Sequence, residues 1–295
     1  MAIIFENISY AYDARSMWSH SALHDVSLQL ETGAFAGIAG ASGSGKSTLL
    51  QHFNGILKPT GGKVHVLDFM LESGSKQPPM QELRRRVGLV FQFPEQQLFE
   101  DTVEKDLMFG PLNFGMEREA ARKSAIRALE LVGLDDSFLP RNPFHLSGGQ
   151  MRKVAIASVL AMNPDVIVLD EPTATLDPES RAELAGLLGK MQREEGKTVI
   201  VVTHRIEEML PYADTWIVMH QGTKVFQGGP AELVREAGRL ERECNLAVPA
   251  CIKVWNRLAE QLGLEHEEPC LTAEKAAVRI HDLLEQRDIK RKGVG

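Results

Sequence analysis

Three short stretches carry the residue types that phosphate chemistry needs, in a fixed order. Gly40-Ala41-Ser42-Gly43-Ser44-Gly45-Lys46-Ser47-Thr48 has the form G-x-x-x-x-G-K-[ST]. It follows the apolar run 35–39 and leads into residues 49–53, the strand–loop–helix context that a phosphate-cradling loop requires. Glycines let the backbone turn its N–H groups inward, and a helix N-terminus adds positive potential for an anion. Lys46 would reach the β- and γ-phosphates of a nucleoside triphosphate, and the Ser47 hydroxyl would hold Mg²⁺. A Gly/Ser linker shares the composition but lacks the flanking strand and helix. The second stretch, Val166-Ile167-Val168-Leu169-Asp170-Glu171, is four apolar residues followed by two carboxylates. A strand here delivers Asp170 beside the loop, where it can hold Mg²⁺ through water. Glu171, one residue on, points elsewhere and can accept a proton from an attacking water. The third, Leu146-Ser147-Gly148-Gly149-Gln150, reads as a helix start capped by Ser147. Its free N–H groups and dipole make a second anion site. Two phosphate sites on different lobes point to a head-to-tail dimer. Each nucleotide would lie between the 40–48 loop of one chain and residues 147–150 of the other.

The elements that must position these residues alternate between strands and helices. Residues 3–5, 8–12 and 22–30 read as two or three strands, with a polar loop over 13–21. After the loop and its helix come a turn at 58–62, a strand over 63–67, a flexible connection at 72–79 and an apolar strand over 87–92. From 95 to 162 the pattern turns helical, with an amphipathic segment at 117–131 and a helix capped by Ser147. Runs 166–169 and 198–202 return as buried β-branched strands around a helix at 179–195. This predicts a parallel sheet in an α/β fold with an inserted helical lobe. Residues 215–227 predict a closing hairpin around Gln221-Gly222. Past Pro230 the chain reads as charged helices, including 249–262 and 272–286. Val254, Leu258 and Leu262, with Val278, Leu283 and Leu284, are the apolar positions there that need a covering surface.

Composition narrows the function classes. The chain has 295 residues, 43% hydrophobic and 25% charged, with 33 basic against 40 acidic residues. That balance suits a full globular core and argues against a dedicated nucleic-acid binder, which needs clustered Lys and Arg. Cys244, Cys251 and Cys270 fit no metal-ligand spacing and suggest reduced thiols. No apolar run approaches the roughly 18 residues that span a bilayer, and residues 1–6 lack a basic signal region, so a cytoplasmic protein is expected.

Taken together, the motifs resemble those of the ABC-transporter ATPases, over residues 3 to about 245 and in family order. The resemblance implies a P-loop NTPase core: a parallel sheet, an N-terminal antiparallel β part, a helical lobe at about 95–162 and a C-terminal helical extension at 246–295. It implies ATP and Mg²⁺ as ligands and hydrolysis by Glu171. It also maps Gln92 onto the glutamine that contacts Mg²⁺ and the transmembrane partner, and His204 onto the switch histidine at the γ-phosphate. Asp177 falls in the D-loop, where Thr175 stands in place of the usual glycine. Tyr12 corresponds to the adenine-stacking aromatic, with Tyr10 the competitor.

Within the family, Phe91-Gln92-Phe93-Pro94-Glu95-Gln96-Gln97-Leu98-Phe99 and Met151-Arg152-Lys153-Val154-Ala155-Ile156-Ala157 resemble the ATP-binding A components of energy-coupling factor transporters, particularly the second A-type paralogue. That likeness implies a second ABC ATPase subunit (a paralogue or a second copy), a transmembrane T component and a substrate-binding S component. It also implies a peripheral position on the cytoplasmic face of the cell membrane, and import of vitamins or transition-metal ions. The alternative is a soluble, non-transport ABC ATPase acting on ribosomes or DNA. Such a protein would usually carry two motif sets or a long coiled-coil insertion, and this chain has neither.

Overall fold

The computed structural model describes residues 3–13, 20–75, 78–262 and 269–292, with side chains through residue 282. The N-terminal half contains β1 (Ile3–Tyr12), β2 (His20–Leu30), β3 (Phe35–Ala39), α1 (Lys46–Phe53), β4 (Gly61–Val66), β5 (Phe69–Glu72), α2 (Met80–Arg86) and β6 (Val87–Val90). A helical stretch follows, with α3 (Val103–Asn113), α4 (Arg118–Leu131) and α5 (Gly148–Leu160). The chain then runs through β7 (Val166–Asp170), α6 (Pro178–Glu195), β8 (Thr198–Val202), α7 (Ile206–Met209), β9 (Thr215–His220) and β10 (Thr223–Gly228). It closes with α8 (Pro230–Cys244), α9 (Ala250–Leu262) and α10 (Ala273–Lys292).

Strands β3, β7 and β8 are buried at every position, as strands covered on both faces must be. They lie in a six-stranded sheet of order β10-β9-β3-β8-β7-β6, parallel except for the edge strand β10. Side chains alternate between two apolar clusters. Ile167, Leu169, Val199, Val201 and Trp216 face the layer that includes α5 and α6, whereas Val166, Val168, Ile200, Val202 and Ile217 face α1 and the smaller sheet. This is the period-two rule with both faces apolar. The smaller sheet is antiparallel, of order β2-β1-β4-β5.

Sequence periodicity misjudged several local features. β1 is one strand broken by bulges, with Asn7 in the left-handed region, where two separate strands were expected. β5 and α2 were not anticipated. β5 pairs with β4 across a short turn at Leu67, and its first residues precede the stretch read as a flexible connection. The strand expected over 87–92 ends at Val90, because Phe91 and Gln92 leave the sheet and are exposed. In α9 the buried face is Ile252, Trp255 and Ala259. Of the row expected to need a covering surface, Leu258 and Leu262 are half-buried and Val254 is 54% exposed. Val278 is likewise exposed, and the side chains of Leu283 and Leu284 lie outside the described residues, as does most of the 13–21 loop.

Candidate functional site

The carboxyl ends of β3, β7 and β8 open onto a cleft of about 480 Å³. Tyr12, Ser42, Gly43, Gly45, Lys46, Ser47, Thr48, Gln92, Asp170, Glu171 and His204 all line it. Sites in open parallel sheets are expected at this end of the strands. The loop between β3 and α1 is forced into its path by glycines. At Gly40, φ is +148°, and a Cβ there would meet the Met219 carbonyl and the Ser44 hydroxyl. The turn between β9 and β10 braces the loop from behind, since the Gly222 amide donates to the Ser44 carbonyl at 3.1 Å.

Lys46 is buried, and its ammonium donates to the carbonyls of Gly40 and Ala41, both at 2.9 Å, and at 3.5 Å to the Ser44 hydroxyl. Burial lowers its pKa, opposed by the charges of Glu171 and Asp170. Asp170 ends β7 beside the Ser47 hydroxyl, and burial raises its carboxyl. Glu171 is pushed up to about 7 by burial and by the neighbouring Asp170. Its Oε1 is buried without a hydrogen-bond partner, 3.5 Å from Nε2 of His204. Burial, then Lys46, lowers His204. Two carboxylates and a histidine thus face one lysine in a partly dry cleft, a placement typical of titratable groups that act on a substrate. Tyr12 reaches the cleft and bonds the Thr48 hydroxyl at 3.1 Å. Tyr10 is turned behind it, edge-on to both Tyr12 and His52.

The oxygen donors suit Mg²⁺, a hard cation that takes one or two carboxylates and completes its shell with water and phosphate. Asp170 and Ser47 stand side by side and Gln92 lines the same cleft.

Residues 147–150 do not reach this cleft. Ser147 caps α5 in a reciprocal box: its Oγ accepts from the Gln150 amide at 3.3 Å, and Gln150 Oε1 accepts from the Ser147 amide at 3.2 Å. A Cβ at Gly148 would meet nothing, and one at Gly149 only Leu176 at 4.0 Å. Asp177 caps α6 through the Ser180 amide at 3.0 Å, and those hydrogen bonds lower its carboxyl.

Residues 23–174 match the ABC transporter family model. The chain is 47% identical to the energy-coupling factor transporter ATP-binding protein EcfA2 of Geobacillus kaustophilus, over 96% of this chain and 97% of that protein. The chain is an ABC transporter ATPase. The EcfA2 of Bacillus licheniformis is 45% identical over 98% of this chain and 99% of that one. Among solved structures, cbiO1 from Clostridium perfringens, part of the ABC transporter complex cbiONQ, superposes with a TM-score of 0.69 at 35% identity, covering 85% of this chain and 97% of that one. A dimeric ATP-binding cassette bound to ADP and Pi, MJ0796, superposes with a TM-score of 0.70 at 31% identity, over 77% and 98%. The fold is accordingly the α/β P-loop NTPase cassette, and the chain is an ABC ATPase that belongs with the ATP-binding proteins of energy-coupling factor transporters.

Sequence reasoning overlooked one residue at the centre of this ATPase. Arg152 is fully buried in α5 and bonds the backbone behind the cleft. A cation two residues past Gln150, within the first turns of an otherwise apolar helix, was the available signal.

Proposed function

We propose that this ABC ATPase hydrolyses ATP in a composite site and that the 3–245 unit, with its 246–295 extension, powers a membrane import complex. Tyr12 stacks on adenine. The backbone of Gly40, Ala41, Ser42, Gly43, Ser44, Gly45 and Lys46 holds the phosphates, with the Lys46 ammonium, and Thr48 orders Tyr12. Ser47, Asp170 and Gln92 would hold Mg²⁺, which when bound neutralises phosphate charge. Glu171 takes the proton of the attacking water, and His204 steadies the γ-phosphate. Ser147, Gly148, Gly149 and Gln150 complete the site across the dimer, with Asp177 at the same boundary. Phosphoryl transfer depends mainly on positioning and charge stabilisation, so closure of the dimer assembles the competent site.

The observation that carries this reading is that the capped start of α5 stands apart from the cleft with two glycines that its own chain does not need. Residues left small without an internal reason leave room for something external to come close. A second ATPase subunit, either a paralogue or a second copy, supplies the complementary half.

The names of the relatives and of the cbiO1 neighbour support membership of a transporter complex. In this reading its other members are a transmembrane T component and a substrate-binding S component, and the chain sits on the cytoplasmic face of the membrane. No helix among the described residues is long and apolar enough to cross a membrane. The exposed Phe91 and Phe93, which flank Gln92 in sequence, and the exposed Phe99–Phe109 pair suit contact with such a partner. Vitamins or transition-metal ions are the expected cargo.

One variant tests the reading. Glu171→Gln should abolish turnover, trap an ATP-bound dimer and copurify from membranes with polytopic proteins. Hydrolysis at the wild-type rate would remove Glu171 from its role. Recovery only in a soluble complex would remove the transport assignment.

A further inference from the structure

Arg152 sits at the meeting point of the segments that must act together. Its side chain is entirely buried, yet the guanidinium finds oxygen on every side. Nε donates to the Pro172 carbonyl at 2.8 Å, and Nη1 donates to the Thr175 hydroxyl at 3.1 Å. Nη2 donates to the Glu171 carbonyl at 2.5 Å and to the Gln92 carbonyl at 3.1 Å. Nη1 also faces the Glu95 carboxylate at 3.6 Å, which supplies the opposite charge. Burying an arginine is costly unless its charge is paired and its donors are engaged. Here Glu95 pairs the charge and four hydrogen bonds engage all three guanidinium nitrogens. The fork geometry is what permits it, since a lysine ammonium would present only three donors from one point.

The acceptors are not a random set. Glu171 has φ +49°, a left-handed backbone that a non-glycine residue adopts only when its surroundings hold it there. Three hydrogen bonds hold it: its amide donates to the Val202 carbonyl at 2.9 Å, and its carbonyl accepts from Arg152 at 2.5 Å and from the Ala174 amide at 3.3 Å. That conformation sets where the carboxylate projects into the cleft. The Gln92 and Thr175 contacts add the segment after β6 and the D-loop to the same anchor, and α5 carries Arg152 two residues beyond Gln150. The departure from glycine at Thr175 gains a reason, because a glycine has no hydroxyl to accept from Nη1.

We propose that Arg152 is a positioning residue: it fixes the backbone of Glu171 and ties it to the capped start of α5, so that the carboxylate and the α5 start keep one geometry. Thr175 is the acceptor that completes its coordination. The inference rests on the assignment of Glu171 above, and the two fail in different ways. A wrong Glu171 assignment shows as continued turnover in Glu171→Gln, whereas a wrong Arg152 assignment shows as unaltered turnover in Arg152→Lys while Glu171→Gln is dead.

The test is steady-state hydrolysis of MgATP by the full chain with its partner subunit, separating kcat from KM. Arg152→Lys keeps the charge and loses the fork. It should lower kcat at least about tenfold, as small misplacements of a catalytic group do, with KM for ATP held within about twofold. Thr175→Val removes only the acceptor, and should lower kcat about threefold, while Thr175→Ser restores it. A wild-type kcat in Arg152→Lys would overturn the proposal, as would a KM that rises in step with the loss of kcat. If Arg152→Lys does not fold, the Thr175 pair decides: equal kcat in Thr175→Val and Thr175→Ser refutes the proposal, and rescue by serine alone supports it.

Discussion

His52, on α1 behind the phosphate loop, makes the stability of this protein depend on pH in a calculable way. It is fully buried, and its Nδ1 lies 2.7 Å from the Thr48 carbonyl oxygen, which assigns the proton of the neutral ring to Nδ1. Nε2 is buried with no hydrogen-bond partner, and the ring meets Tyr10 edge-on. A second proton would therefore enter an apolar pocket with nothing to receive it. Burial accordingly pushes the pKa from 6.5 to about 4, opposed by the bond to Thr48. The sign follows from which state binds the proton. As pH falls through 6.5 the unfolded chain takes up a proton that the folded chain refuses, so stability is lost over that interval. The loss is complete below about 4, where both states are protonated. At about 1.36 kcal/mol per pH unit, the displacement amounts to roughly 3 kcal/mol. His52→Gln removes the titration, and urea denaturation of both proteins from about pH 7.5 to about pH 4.5 measures it. Carboxylates elsewhere titrate alike in the two proteins and cancel. The stability difference should move by roughly 2–3 kcal/mol toward the variant as the pH drops. A difference that stays flat across that range would refute the reasoning and place the ring in contact with water. Because α1 begins at Lys46, acid would loosen the helix that presents the phosphate loop.

Two further substitutions test the packing that shapes the cleft. Gly37→Ala would bring a Cβ to 2.6 Å from the buried Trp216 ring, and should cost about 1–3 kcal/mol in a thermal melt with the ATP cleft otherwise intact. Gly45→Ala meets two penalties, φ +96° and a Cβ 2.8 Å from the Ala22 carbonyl. It should weaken binding of a non-hydrolysable ATP analogue measured by calorimetry, and wild-type affinity would show that the loop tolerates a different path.

The chemistry of this chain was legible because it depends on residue types at short, fixed spacing. A loop that must turn backbone N–H groups toward phosphate needs glycines and one lysine within nine residues, so the motif survives as text. Strands buried on both faces read as continuous apolar runs, and β3, β7 and β8 appear in the sequence nearly to the residue. The helix cap at Ser147 was equally local, although its reciprocal partner Gln150 emerged only in the structure. Bulged β1, short β5 and α2 were not legible, since bulges and brief elements depend on their pairing partners rather than on period.

What only the tertiary structure decided is how distant segments meet. It separated Tyr12 from Tyr10, two residues apart on one strand, by placing one at the cleft and the other against His52. It chose Ile252, Trp255 and Ala259 as the inward face of α9, because a helix with several apolar rows turns toward whichever surface its neighbours offer. Arg152 shows the limit most plainly. In the sequence it is a charge on a helix, and its meaning lies in four oxygens drawn from segments 19 to 60 residues away. Spacing along the chain records what one segment can do for itself. Convergence of several segments on one guanidinium is written only in three dimensions.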